Sequence, residues 1–104
     1  MTINSDDETS ALFDRAAEEV VALGNRLMES EADGDAWEVA SGLLAGVVHF
    51  WLYAHQPCGD PYCEACAEVT TAEHRLRRLF EETRQSAEES DYYHSPRDSN
   101  VGTA

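Results

Sequence analysis

Lysine is absent from this chain of 104 residues; all seven basic residues are arginine (Arg15, Arg26, Arg75, Arg77, Arg78, Arg84 and Arg97). Set against 21 Asp and Glu, they leave a net charge of −14, a field that repels phosphate. Long apolar runs are absent too. The longest, residues 43–54, contains His49 and falls short of the ~20 residues a membrane span needs. The first ten residues are polar and acidic, with no basic start and no apolar stretch, so no secretory signal is expected there. No segment has the two-residue period of a strand, and no internal repeat occurs. A glycine-rich phosphate loop, a nucleophile-elbow serine and a His-Glu-x-x-His pair are all missing, so the expectation is a protein that is not an enzyme. Carboxylate pairs are so numerous that they carry no information. Three cysteines are too few and too odd for a secreted disulfide framework, and the expected location is the cytoplasm.

What is present is an acidic surface joined to ordinary apolar content, 42%. A disordered acidic chain would lack apolar periodicity, and residues 10–85 have it. The composition resembles that of proteins from salt-accumulating halophiles. There, carboxylates keep a surface hydrated, and self-repulsion is screened as the Debye length falls to ~3 Å at 1 M salt. That is a habit of whole proteomes and identifies no family.

The periodicity predicts an all-α fold, a small three-helix bundle with a metal-binding loop between helices two and three. Residues 1–9 are expected to be a flexible leader, 10–89 the domain, and 90–104 a disordered tail. Helix one is expected over 10–31, or from a capping box at Ser5 and Glu8, with Leu12, Ala16, Val20, Leu23 and Leu27 on one stripe. After the turn at Ala32, Asp33 and Gly34, Asp35 is the expected N-cap of helix two, residues 36–55. That helix is apolar nearly all round, with Trp37, Leu43, Val47, Phe50 and Trp51 among its residues. Gly42 and Gly46 would admit a close neighbour. Such a helix calls for cover on more than one side, and self-association or a protein partner through it is expected. Pro57 ends it. Asp60 and Pro61 start a third helix to about residue 89, with Thr70 and Thr71 as a weak point where Thr70 and Glu73 could re-cap it.

Between helices two and three stands His55-x2-Cys58-x4-Cys63-x2-Cys66. One nitrogen and three sulfur donors suffice for a closed tetrahedral site, so His55, Cys58, Cys63 and Cys66 are the candidate ligands of a structural Zn2+. The inner spacing is shorter than in standard zinc ribbons and fingers. His74 is the rival fourth ligand if the third helix breaks at Thr70; Asp60, His49, water or a partner chain are others. Cys63 at a helix start is expected to have a lowered thiol pKa. Iron remains a second metal candidate, because Cys-x4-Cys-x2-Cys echoes a ferredoxin spacing without its distant fourth cysteine. The bland reading is three small buried hydrophobes.

The functional expectation is a small, non-enzymatic, zinc-binding helical protein acting as a protein-interaction or regulatory module in a halophile. One alternative is a zinc-finger-like nucleic-acid-binding regulator using Arg75, Arg77, Arg78 and Arg84. Against it, Glu73 with Arg77 and Arg78 with Glu82 have the spacing of helix-surface ion pairs. The other alternative is a thiol redox protein using Cys63 and Cys66.

Overall fold

The computed structural model describes residues 5–60, 62–96 and 98, and the side chains among them from residue 11 onward. The expected Pro61 helix start lies outside these residues, as do 1–4, Arg97 and 99–104 of the expected leader and tail. The described residues are helical, with no strand: α1 (Ser5–Ser30), α2 (Ala36–Ala54), the short 3-10 helix η1 (Glu64–Val69) and α3 (Ala72–Glu89). The chain divides into two compact units, Met1–Phe50 and Trp51–Ala104.

In the first unit, α1 takes the earlier of its two expected starts, at Ser5. It ends where the Ser30 hydroxyl donates to the Leu27 carbonyl, and the Gly34 N–H to the Glu31 carbonyl closes the turn. Asp35 caps α2 as expected: its carboxylate accepts from the Trp37 N–H at 2.9 Å, satisfying a donor that has no partner within the helix. The two helices approach closely at Gly24, where a Cβ would stand 3.0 Å from Leu43 Cδ1. Here the lack of a side chain is what lets Leu43 in.

The second unit departs from the expected single third helix. Thr71, in extended conformation, accepts from the His74 N–H at 3.0 Å and caps a fresh helix, α3. Just before it, the Thr70 hydroxyl donates to the Cys66 carbonyl at 2.8 Å and terminates η1. The break thus lies at the anticipated threonines, with Thr71 rather than Thr70 as the cap. Arg75 reaches back to the Val69 carbonyl at 2.9 Å, and Arg78 pairs with Glu68, so α3 is fastened to η1. The indole N–H of Trp51, at the end of α2, donates to Glu82 of α3 at 2.7 Å, and Glu82 also accepts from Arg78 at 3.2 Å. Residues 90–96 form turns, and the Ser95 N–H and hydroxyl both bond to Asp98.

Among the described residues none is fully buried. Directional bonds such as the Thr71 cap therefore carry an unusual share of the local order. Thr71→Ala is expected to lower the thermal unfolding midpoint by an amount equivalent to about 1 kcal/mol, and Thr71→Ser to retain most of it. Circular dichroism on the two variants checks this.

Candidate metal centre

The end of α2 prepares the site. His55 follows the last helical turn, where carbonyls have no partner in the helix. Its own N–H and its ring Nδ1 both reach the Trp51 carbonyl, at 3.0 and 2.8 Å, while the Gln56 amide caps the Leu52 carbonyl. A carbonyl only accepts, so this contact selects the tautomer with the proton on Nδ1, in which the lone pair is on Nε2. The ring stacks on Trp51, with centroids 3.7 Å apart and planes 12° from parallel.

The loop then turns back on itself. Asp60 accepts the Tyr62 N–H on its carboxylate at 2.9 Å and the Cys63 N–H on its carbonyl at 3.2 Å. Cys63 caps η1, and the Cys66 N–H bonds to its carbonyl at 3.2 Å. A 3-10 helix has three residues per turn, so residues i and i+3 eclipse. Cys63 itself is extended, just ahead of η1, and the Cys63–Cys66 hydrogen bond closes one such turn that keeps the two residues near each other. Cys58 closes the group from the loop. Its N–H donates to Cys66 Sγ at 3.4 Å, and the Cys58 and Cys66 sulfurs are 3.7 Å apart. All three sulfurs lie within 4.8 Å of one another, close enough to share one metal ion.

The electrostatics follow from that crowding. The Cys63 thiol is pulled below its ordinary pKa, first by a hydrogen bond from the Cys58 thiol, then by the Cys66 N–H and thiol; the Ala65 N–H adds to this and desolvation opposes it. The direction matches the expectation, but its causes are the neighbouring thiols and two amides. Cys66 moves the other way. The Cys58 N–H favours its thiolate, but the adjoining Cys63 and Cys58 sulfurs and desolvation outweigh that. Three crowded thiols cannot all ionise without a cation to neutralise them.

Of the candidate donors, the structure brings together Cys58, Cys63 and Cys66. His55 is not within that tight group, though it and Cys66 line one open cavity of about 480 Å³, together with Glu68 and Arg78. His74 lies on the first turn of α3 and lines a different cavity, with Glu68, Arg77, Arg78 and Glu81 but no cysteine. Its Nδ1 is buried without a hydrogen-bond partner. His49 is exposed on α2. Of the four arginines proposed for nucleic acid, Arg75 and Arg78 are tied to η1 and Arg84 to Glu88 at 2.9 Å. The Arg78–Glu82 pair forms as its spacing suggested; among the described residues Arg77 makes no ion pair, with Glu73 or otherwise. Two contributors escaped the sequence reading, Trp51 and Glu82. The spacing of Trp51 and His55, i and i+4 on one helical face, was the available signal for the first.

No protein-family model matches the chain, and no curated protein and no solved structure shows significant similarity to it.

In metal-free protein, iodoacetamide at mildly alkaline pH is expected to alkylate Cys63 before Cys66, because the lowered thiol is the more ionised at any given pH. Peptide mapping at partial modification reads the order.

Proposed function

We propose that this chain is a small zinc-binding helical module, in which Cys58, Cys63, Cys66 and His55 Nε2 hold one Zn2+ as a structural clamp. The observation that carries this reading is the convergence of three sulfurs within 4.8 Å. Zn–S bonds of ~2.3 Å in a tetrahedron place sulfurs ~3.8 Å apart, and Cys58 and Cys66 already stand at 3.7 Å. The choice of His55 rests on its Nδ1–H, which donates to a backbone carbonyl. This is the outer contact that ligating histidines ordinarily make, and it leaves Nε2 for the metal. A mixed nitrogen and sulfur set suits zinc better than an iron–sulfur cluster, which takes thiolates. With four protein donors no position is left for a substrate, so the metal ties the end of α2 to η1 and the module works by binding other proteins, in a regulatory role, rather than by catalysis. The acid-rich, lysine-free composition supports a halophile cytoplasm as its setting.

A thiol redox role is the second reading, favoured by the 3.7 Å separation of two sulfurs. That distance adds Cys58 and Cys66 to Cys63 and Cys66 as a candidate disulfide-forming pair. With hydrogen peroxide as oxidant, the two thiols would give up two electrons and two protons, forming one disulfide and two waters.

Protein purified without chelator is expected to carry one zinc per chain by elemental analysis, with three free thiols after the metal is removed. Less than half an equivalent would overturn the zinc reading. Cys58→Ser and His55→Ala should each weaken zinc binding on the order of 100-fold, about a fifth of a total binding energy of ~10–16 kcal/mol. Affinity should fall as pH falls, because both thiolates and imidazole must shed protons to bind. Unchanged affinity in His55→Ala would leave three thiols and water as the ligand set. A reversible Cys58–Cys66 disulfide under mild oxidant, in protein that purifies metal-free, would favour the redox reading instead.

A further inference from the structure

The first unit presents a groove with no charged residue in its lining. Residues from α1 (Val20, Leu23, Leu27) and α2 (Leu43, Val47, Phe50) line about 590 Å³, and Gly42 and Gly46 are part of the lining on the α2 side. A Cβ added at either glycine would meet nothing within 4 Å. The notch is therefore not used to pack α1 against α2; that close approach is at Gly24. We infer that this groove is the seam of a homodimer, in which the α1–α2 hairpins of two copies pair about a two-fold axis and α2 of one copy seats in the Gly42–Gly46 notch of the other.

Three observations select a second copy as the occupant. First, none of the described residues is fully buried in the single chain, although Leu23, Leu27, Val47 and Phe50 line this groove and Leu12 and Phe13, four and three residues before Ala16 on α1, continue its stripe by one helical turn. These six stand 40–70% exposed. At ~200 Å² for a large apolar side chain they leave roughly 600 Å² in water per copy. Two copies would withdraw roughly 1,200 Å², the lower bound of a stable protein pair before the glycines and backbone are added. Second, a two-fold seam must be self-complementary. An uncharged groove carrying a pair of small residues one helical turn apart meets that condition, since both backbones can approach where neither has a side chain. Third, the charge excludes no contact there. Each copy carries −14, but the acids lie outside the groove lining, so like charges repel across the pair without being pressed together in it.

This last point separates a second copy from a basic partner. Attraction between opposite charges weakens as salt rises. Pairing of two strongly acidic copies through apolar surface strengthens, because salt screens the repulsion and leaves the burial. The inference deepens the interaction-module reading by naming the partner. It is independent of the zinc site, which lies in the other unit.

The test is sedimentation equilibrium of the full chain in 0.2 M and 2 M KCl, with metal content measured on the same samples. A mass of twice 11.5 kDa is expected, with a dissociation constant that falls as salt rises. Gly42→Val with Gly46→Val should raise that constant at least tenfold. The Gly42→Ala, Gly46→Ala pair keeps open space around each Cβ and raises helix propensity, so it is expected to keep or increase helicity while still weakening the dimer. Leu44→Glu, outside the groove lining, is the control and should leave the constant nearly unchanged. A monomer at 100 µM in 2 M KCl would overturn the inference, and a zinc-loaded monomer would do so with the metal reading intact. Dimer loss in Leu44→Glu but in neither glycine variant would also overturn it, since the seam would then lie on another face of α2.

Discussion

Apolar burial is the unfinished term in the folding of this chain. Fifteen large apolar residues among those described remain exposed, and none is fully buried. A domain normally offsets the entropy of ordering its backbone by withdrawing such surface from water. Here the helices stand on caps, turns and polar ties. The two proposals answer the same shortfall in different units. A metal would brace the corner from α2 to η1, and a second copy would cover the α1–α2 hairpin. Small domains are where such additions matter, because they cannot enclose much core of their own.

The corner shows how local chemistry can do what a core usually does. His55 and Gln56 turn back to satisfy the last carbonyls of α2. Asp60 gathers two amides and starts the reversal. A turn closed by the Cys66 N–H on the Cys63 carbonyl then brings these two together, and Cys58 donates its N–H to the Cys66 sulfur. Each step has a sequence distance of eight residues or fewer, so little loop closure entropy opposes it. The longer link is Trp51 to Glu82, which Arg78 shares. It holds the imidazole-bearing end of α2 and α3 to one network. The ring of His55 lies on the same indole, which orients it without a core around it.

Much of this was legible in advance because it is local. The amphipathic stripe of α1, the Asp35 cap, the stop at Pro57 and the weak point at Thr70 and Thr71 depend on neighbours within a turn or two. The clustering of three cysteines also followed, since nine residues cannot carry them far apart. Helix three was expected as one α-helix with a weak point at Thr70 and Thr71; the described residues form the 3-10 helix η1 before that point and α3 after it. An apolar period does not distinguish an α-helix from a 3-10 turn followed by a new cap, and Thr71 differs from Thr70 only in which hydroxyl meets an N–H.

Spacing and composition by themselves determined the all-α character, the apolar stripe of α1, the nearly all-apolar sequence of α2, and a sulfur-rich loop after it. They determined these because helical periodicity, N-cap chemistry and the reach of a short loop are properties of the chain alone. Only the tertiary structure decided which donors meet. It brought the three sulfurs together, set His74 in a cavity without cysteine, and tied Arg75 and Arg78 to η1. It also left Gly42 and Gly46 open while Gly24 took the helix contact. The reason is that each of these depends on a backbone break or a crossing point, which residues distant in sequence settle between them.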